Sequence, residues 1–252
     1  MRRGILITAR LKSTRLKEKV RKDLCGKPLI SHLIDRMKRC NGFDEIILCT
    51  SPLNQDEPLV EIAEQEEIQC YAGHPDDVLL RLTEAAQKFN LDTVINVTGD
   101  NPLIEVPILE QLASHHEKNK FDFTKVEGIP IGTYGWGLSR IAMEKALKIK
   151  NKSDTEWWAE YFLETTLFDC GVFKIDDPEL IMDVRLTVDT PADFELIEKI
   201  FLAFNQKVSE MDLRNILMYL KANPSLVKIN KQVQHKSPTP IKLKAKYEQY
   251  RI

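Results

Sequence analysis

The amino-terminal part of the chain places four basic side chains directly after a short apolar run, GILIT: Arg10, Lys12, Arg15 and Lys19. The apolar run is typical of a buried strand, and ligands of open α/β sheets bind beyond the carboxyl ends of such strands. A charged loop can simply be solvated, and the charge count alone leaves that alternative open. Ser13 and Thr14 favour an anion site, because small hydroxyl residues let backbone N–H groups approach phosphate oxygens. We therefore expect a phosphate-binding loop, although it follows neither the Walker A pattern nor GxGxxG.

A second candidate group follows the apolar run TVINV, in the stretch TGDNPLI. Asp100 comes just after this predicted strand, so we expect its carboxylate at the same sheet edge as the basic loop. Carboxylate oxygens beside a phosphate site are common ligands of Mg²⁺. The alternative is a turn or a helix cap, because Gly-Asp-Asn-Pro is also a typical turn sequence.

The stretch RLTVDTPADF repeats this arrangement, since a predicted strand, RLTV, ends at Asp189. Thr190 and Pro191 then begin a helix, and Asp189 could serve only as its amino-terminal cap. Two strand-end carboxylates and one basic loop nevertheless form a coherent set, in which Asp100 and Asp189 would hold Mg²⁺ and the cations would hold a triphosphate. This combination indicates phosphoryl or nucleotidyl transfer.

Strand and helix patterns alternate along most of the chain and would position these groups. Apolar runs such as EIILCT and TVINV are separated by segments with a helical spacing of apolar residues, such as PLISHLIDRMKRC. This alternation predicts βαβ units, and therefore an α/β fold with a mostly parallel sheet. The region from about 127 to 169 is less regular and contains all three tryptophans, and the basic carboxyl-terminal stretch predicts a tail or peripheral arm.

The composition argues against several other classes of protein. The 252 residues include 43% hydrophobic and 29% charged residues, which is typical of an ordinary globular protein. The net charge of −2 disfavours nonspecific nucleic-acid binding, and no apolar run approaches the roughly 20 residues of a membrane span. The five cysteines are scattered without a CxxC pair, which disfavours zinc and disulfides and favours a cytoplasmic location.

Five motifs together resemble the cytidylyltransferases that activate acidic sugars. They are ARLKSTRLKEK, GKPLISHLIDRMKRC, DDVLLRLTEAAQKF, VTGDNPLI and RLTVDTPADFELI, and the resemblance runs from about residue 4 to residue 225. The spore-coat polysaccharide branch is the nearest, and the CMP-Kdo and CMP-acylneuraminate synthetases are more distant. The resemblance implies a nucleotide-diphospho-sugar transferase fold, a Rossmann-like three-layer α/β/α sandwich. It would span residues 1–225, with an excursion at about 127–170, followed by a basic tail or arm at 226–252.

The resemblance also implies a reaction, in which CTP and an acidic sugar give a CMP-sugar and pyrophosphate with Mg²⁺ as cofactor. It implies that Arg10, Arg15, Lys19 and Asp100 are catalytic and that Asp100 and Asp189 bind the metal. The nucleotide-binding residues implied in the same way are Ala9, Arg10, Ser13, Arg15, Lys19, Asp77, Arg81 and Asp100. Family members are usually homodimers, so residues 127–170 are also candidates for a contact with a second copy.

The sequence departs from the family pattern at three places, one of which is Thr8, where a glutamine or proline is common. Lys17 and Glu18 replace the usual proline and glycine before Lys19, so an easy positive φ is lost and an anion lies near the expected phosphates. Lys19 would then lie differently, or Lys17 would share its role. Trp157 and Trp158, in DTEWWAEYF, suggest altered acceptor recognition or an altered dimer contact, with ordinary core and interface positions as the alternative.

Two other functions are compatible with these motifs. A nucleotide-sugar-dependent glycosyltransferase can share the fold, but such enzymes commonly carry a DxD-type metal motif where this chain has GDNP. A catalytically silent nucleotide-binding scaffold is the other alternative, because of the altered loop and the tryptophan pair. No motif specifies the acceptor sugar, and the choice of base depends on backbone contacts that a sequence hardly reveals.

Overall fold

A seven-stranded sheet with helices on both faces forms the centre of the computed structural model, which describes residues 1–205, 207, 210–234 and 240–252. The sheet strands are β1 (Arg3–Thr8), β4 (Glu45–Thr50), β5 (Gln69–Ala72), β6 (Thr93–Thr98), β7 (Phe123–Glu127), β8 (Trp136–Ser139) and β9 (Cys170–Lys174), and a separate ribbon contains β2 (Asp23–Leu24) and β3 (Lys27–Pro28). The helices are α1 (Leu29–Met37), α2 (Glu57–Gln65), α3 (Val78–Lys88), α4 (Val106–Asn119), α5 (Arg140–Ile149), α6 (Glu160–Leu163), α7 (Pro191–Ala203), α8 (Leu213–Ala222) and α9 (Pro224–Val227). None of the helices in these ranges is long and apolar enough to cross a membrane.

The strand order is β5–β4–β1–β6–β8–β7–β9. β1 pairs in parallel with β4 and β6, β4 with β5, and β7 with β9, whereas β8 is antiparallel to both β6 and β7. The prediction of a mostly parallel, doubly covered sheet is therefore confirmed. Because β1, β4 and β6 are parallel, the loops that follow them lie at one edge of the sheet.

Alternating side chains of the central strands supply two cores. Ile5 and Ile7 of β1 belong to the core with α1, α2 and α4, whereas Leu6 belongs to the core with α3 and α5. All three side chains are fully buried, and burial of a side chain of this size contributes about 1.5–3 kcal/mol. A third core joins α7 and α8 to the segment that contains Leu186 and Val188.

The segment RLTV was wrongly predicted to be a strand. Arg185 makes only an isolated bridge with Ile131, and the N–H of Val188 donates to the carbonyl oxygen of Asp100 over 2.9 Å. The alternation of its apolar residues reflects burial in the third core, where Leu186 and Val188 are fully covered. The segment therefore connects Ile131 and Asp100, which lie beside the sheet, to helices α7 and α8.

Helix α7 begins with a capping box between Thr190 and Asp193. The Thr190 hydroxyl accepts a hydrogen bond from the N–H of Asp193, and the Asp193 carboxylate accepts one from the N–H of Thr190. Thr190, and not Asp189, is therefore the cap residue. The alternative in which Asp189 serves only as a helix cap does not describe this structure.

The middle and carboxyl-terminal regions contain structure that their patterns did not specify. The middle region includes β8 and α5, and the segment after residue 240 packs on the core that contains α5. Ile241 and Leu243 are buried there, and Leu243 and Arg251 form bridges with Lys150 and Thr165. Residues 235–239 of the predicted arm lie outside the described residues, so the division into a domain and an arm stays a prediction.

Candidate active site

Three segments that are far apart in the sequence meet beyond the carboxyl ends of β1 and β6. The N–H of Gly99 donates to the carbonyl oxygen of Thr8 over 2.8 Å. A Cβ atom at position 99 would lie 2.9 Å from the Cβ of Ala9, so glycine permits this close approach. The backbone of Asp100 in turn bonds to the segment just before Asp189. The basic loop and both predicted carboxylates therefore share one cleft.

The Lys19 ammonium lies between the two predicted metal ligands. Its Nζ atom is 2.5 Å from Asp100 Oδ2 and 2.6 Å from Asp189 Oδ1. Burial alone would lower the pKa of Lys19, but the charges of Asp100 and Asp189 outweigh burial, and the pKa is raised. Burial would raise the pKa of Asp189, but Lys19, Arg15 and Arg185 lower it below its usual range. A charged ammonium therefore faces an ionised Asp189 at neutral pH.

Each of these carboxylates has one oxygen held by the protein and the other in contact with Lys19. Asp100 Oδ1 accepts a hydrogen bond from the Thr98 hydroxyl over 2.6 Å, and Asp189 Oδ2 contacts Arg185. Arg15 adds a second cation 2.8 Å from Asp189 Oδ1. Two hard oxygens, Asp100 Oδ2 and Asp189 Oδ1, thus converge on one cation.

Glu18 adopts a left-handed backbone where the family pattern has glycine. Its φ and ψ angles are 49° and 34°, immediately before the 3₁₀ turn Lys19–Arg21. For a residue with a Cβ atom, this conformation is roughly 1–2 kcal/mol less favourable than the right-handed one. Its carboxylate lies 3.4 Å from Arg21. The absence of glycine has therefore not prevented the turn that presents Lys19 to the two carboxylates.

Arg10 and Lys12 contact acidic residues of the neighbouring loops. Arg10 lies 2.9 Å from Asp76 and 3.5 Å from Asp56, and Lys12 lies 3.4 Å from Asp76. Asp56 is fully buried and also accepts a hydrogen bond from the N–H of Leu11 over 2.7 Å, so it shapes the start of the basic loop. Sequence reasoning missed Asp56, which belongs to none of the five motifs. The predicted contact of Arg10 with nucleotide phosphates stays a prediction.

Ala9 and Ser13 shape the same loop through their backbones. The N–H of Ala9 donates to the carbonyl oxygen of Cys49 over 3.2 Å, which continues the pairing of β1 with β4. The N–H of Ser13 donates to the carbonyl oxygen of Leu11 over 2.8 Å and makes a tight turn. Their predicted contacts with the nucleotide stay predictions.

Arg81 holds the loop between β5 and α3 from below. Its side chain is fully buried, and NH1 donates to the carbonyl oxygens of His74 and Pro75 over 2.5 and 3.2 Å. Arg10 donates to the same carbonyl of Pro75 from the basic loop. Burial lowers the pKa of Arg81, and its Nε and NH2 atoms have no hydrogen-bond partner among the described residues. Arg81 therefore supports the loop that Arg10 contacts, and its own nucleotide contact stays a prediction.

Asp77 ties the same loop to the middle region. Its carboxylate pairs with Lys150, accepts a hydrogen bond from the Thr155 hydroxyl over 2.9 Å, and caps α3 by accepting the N–H of Leu80 over 3.1 Å. The residue is only 2% exposed. Asp77 therefore fixes the loop before α3 to the middle region, and its predicted contact with nucleotide stays a prediction. Sequence reasoning did not identify Lys150 or Thr155.

We expect Asp77→Ala to lower the free energy of unfolding by about 3–5 kcal/mol, because the variant removes the carboxylate that pairs with the Lys150 ammonium, whose side chain is only 12% exposed. Asp77→Asn should lower it less, since asparagine also caps helices. Differential scanning calorimetry measures both changes. Combining Asp77→Asn with Lys150→Met should recover part of the lost stability, and an unchanged melting temperature in Asp77→Ala would contradict this role.

Trp158 is a core residue of the α5 face. It is 5% exposed, and its ring centroid lies 5.9 Å from Trp136, 6.1 Å from Phe123 and 6.2 Å from Phe162. Edge-to-face contacts at these distances are typical of aromatic cores. Trp157 is half-buried. The geometry of Trp158 supports the core interpretation for this residue.

The donor set at Lys19 fits the predicted Mg²⁺. The described residues contain no group of three or more His, Cys, Asp and Glu that could hold a metal ion. Mg²⁺, however, is usually held by one or two carboxylates together with substrate phosphates and water. Asp100 and Asp189 provide two such carboxylates, and their oxygens already converge on the Lys19 ammonium. Mg²⁺ binding by these two residues stays a prediction.

Several known proteins are similar to this chain. It is 32% identical over 236 residues to the uncharacterized protein MJ1063 of Methanocaldococcus jannaschii. The matched region covers 92% of this chain and 96% of that protein. It is 23% identical to the spore coat polysaccharide biosynthesis protein SpsF of Bacillus subtilis, over 87% of this chain and 94% of the relative. It is 31% identical over 166 residues to a 3-deoxy-manno-octulosonate cytidylyltransferase of Anaeromyxobacter, over 64% of this chain and 63% of that protein.

Solved structures share the fold. A cytidylyltransferase from Leptospira borgpetersenii superposes with a TM-score of 0.83 at 24% identity, covering 93% of this chain and 100% of that one. A CMP:2-keto-3-deoxy-manno-octonic acid synthetase complexed with CTP gives a TM-score of 0.65 at 17% identity, covering 81% and 100%. The sequence pattern of the cytidylyltransferase family matches residues 5–223. The resemblance carried by the five motifs is thereby confirmed, and the chain belongs to the cytidylyltransferase family.

Proposed function

We propose that this protein is a Mg²⁺-dependent cytidylyltransferase that joins CMP from CTP to an acidic sugar, with release of pyrophosphate, for the synthesis of surface glycans. The observation that carries the proposal is the convergence of Lys19 with Asp100 and Asp189 at the end of the basic loop. Family membership supports the use of CTP. The names of two relatives, one in spore coat polysaccharide synthesis and one acting on 3-deoxy-manno-octulosonate, support an acidic sugar as acceptor.

In the proposed reaction a hydroxyl of the acceptor attacks the α-phosphorus of CTP, and pyrophosphate leaves in line. Bound by Asp100 and Asp189, Mg²⁺ would supply Lewis-acid stabilisation of the phosphate charge. Lys19 and Arg15 would contact the phosphates and stabilise the charge that develops on the leaving pyrophosphate. Arg10 would add a third cation from the same loop. Its guanidinium is oriented by the ion pair with Asp56.

His74 has a role in the loop between β5 and α3, which Arg10 contacts. His74 Nδ1 accepts hydrogen bonds from the N–H groups of Asp76 and Asp77 over 3.2 and 2.9 Å. This nitrogen is therefore occupied and cannot accept a proton from the acceptor hydroxyl without opening the loop. We accordingly propose no base role for His74.

A pyrophosphate-release screen of nucleoside triphosphates against sugar acids, with Mg²⁺ present, tests the proposal. We expect release that requires both CTP and one class of sugar acid. Release with a different triphosphate would correct the base. Formation of a nucleoside diphosphate from a nucleotide-sugar would instead identify a glycosyltransferase, and CTP binding without turnover across a broad acceptor panel would identify a silent scaffold.

The proposal includes a cytoplasmic homodimer. The five cysteines are scattered along the sequence without a CxxC pair, which favours a reducing compartment. Light scattering of the purified chain tests the dimer, and a monomer at micromolar concentration would contradict it.

A further inference from the structure

Asp193, four residues after Asp189, does more than complete the capping box of α7. It is fully buried and accepts five hydrogen bonds, three at Oδ2 and two at Oδ1. Its Oδ2 accepts from the N–H groups of Asp189 and Thr190 and from the Thr190 hydroxyl, which completes the cap. Its Oδ1 accepts from Arg185 Nε over 3.1 Å and from Asn230 Nδ2 over 2.8 Å. Capping a helix does not require these last two contacts.

Arg185 connects Asp193 to Asp189. The Arg185 side chain is 7% exposed, and it donates from Nε to Asp193 while its NH2 group contacts Asp189 Oδ2. Asn230 also donates to the carbonyl oxygen of Arg185 over 2.9 Å. The donors of a guanidinium lie in one plane, so a guanidinium that bridges two carboxylates fixes their relative orientation. With Oδ2 held in this way, Asp189 Oδ1 is directed to Lys19.

We propose that Arg185 and Asp193 are positioning residues, which hold the Asp189 carboxylate so that Oδ1 faces the cation position shared with Asp100. The inference rests on the proposed function, in which that position binds Mg²⁺. Carboxylates that bind metals are commonly fixed by a further hydrogen-bonded shell, and loss of one such partner typically weakens metal binding 10- to 100-fold. The spacing in RLTVDTPADF, four residues on either side of Asp189, is the only sequence signal of this pair.

The test measures Mn²⁺ binding to the full chain by electron paramagnetic resonance, with CTP present and acceptor absent. This measurement needs no turnover. Asp193→Asn keeps an oxygen for the cap of α7 but turns an NH₂ group toward Arg185, which then loses its anchor. We expect Mn²⁺ affinity about 10- to 100-fold weaker than in the wild type. The matched control is Asp212→Asn at the cap of α8, where the carboxylate accepts the N–H of Asn215 over 2.8 Å. This control should leave Mn²⁺ affinity unchanged.

Variants of Arg185 separate positioning from stability, because they leave the capping box intact and decide the question if Asp193→Asn does not fold. Arg185→Lys keeps the charge but cannot bridge two carboxylates, so its Mn²⁺ affinity should lie between those of wild type and Arg185→Gln. In turnover assays of these variants, the Mg²⁺ concentration that gives half the maximal rate should rise, while kcat at saturating Mg²⁺ changes little. Wild-type Mn²⁺ affinity in Arg185→Gln, with only a lower melting temperature, overturns this inference and leaves the proposed function standing. A wild-type chain that binds no Mn²⁺ with CTP overturns both.

Discussion

Replacing Lys19 by alanine is expected to lower pyrophosphate release about 10²- to 10³-fold, the typical effect of removing one donor that stabilises charge in a transition state. Lys19 keeps its charge at neutral pH because Asp100 and Asp189 surround its ammonium at 2.5 and 2.6 Å. The side chain is 15% exposed, so this charge acts in a partly desolvated cleft, where electrostatic interactions are stronger than in water. Release measured with CTP and the best acceptor from the screen gives the size of the loss.

The same variant should bind Mn²⁺ more tightly than the wild type when nucleotide is absent. A cation that approaches the two carboxylates must displace the Lys19 ammonium, and alanine removes this competitor. Opposite changes in turnover and in metal affinity cannot result from simple unfolding. Lys17→Ala is the matched control, since Lys17 is an exposed lysine two residues earlier in the loop. Equal losses in the two variants would show that Lys17 shares the role, and wild-type release in Lys19→Ala would refute the assignment.

The convergence of the basic loop with Asp100 could be predicted from the sequence. GILIT and TVINV are apolar runs that form adjacent parallel strands, β1 and β6, whose carboxyl ends lie at one sheet edge. The groups that follow these runs, including Lys19 and Asp100, must then come close together. Asp189 lies in the same cleft for a different reason. RLTV is not a strand, and its backbone is held by hydrogen bonds to Ile131 and Asp100.

The supporting groups could not be predicted, because their roles depend on tertiary contacts. Asp77 and Arg81 belong to a motif that suggests ligand contact, yet Arg81 supports a loop and Asp77 pairs with Lys150, which is 73 residues away. Asp56 and Asp193 are fully buried carboxylates, and nothing in a single sequence distinguishes them from exposed ones. Several hydrogen-bond donors surround each of these carboxylates, and these bonds offset the free-energy cost of burying the charge.

Asp100→Asn is expected to lower turnover by about 10²- to 10³-fold while the fold remains intact. The carboxylate contacts Thr98 through Oδ1 and Lys19 through Oδ2, whereas the link to the segment before Asp189 uses the backbone carbonyl. Asparagine keeps the size and the backbone contact. It removes the charge that pairs with Lys19 and replaces one carboxylate oxygen with an NH₂ group, which cannot bind a hard cation.

A control from the same strand separates this effect from a general loss of structure. Asp92 lies at the opposite end of β6, where its carboxylate accepts the N–H of Arg2 over 2.8 Å, so Asp92→Asn should retain turnover. Asp100→Glu keeps the charge but displaces it by one methylene, and should fall between the wild type and Asp100→Asn. Circular dichroism and the melting temperature establish that each variant is folded. Because Asp100 is expected to act through the cation position, raising Mg²⁺ should restore part of the turnover in Asp100→Glu. Full turnover in a folded Asp100→Asn variant would exclude Asp100 from the reaction and leave the Lys19 cluster a structural ion pair.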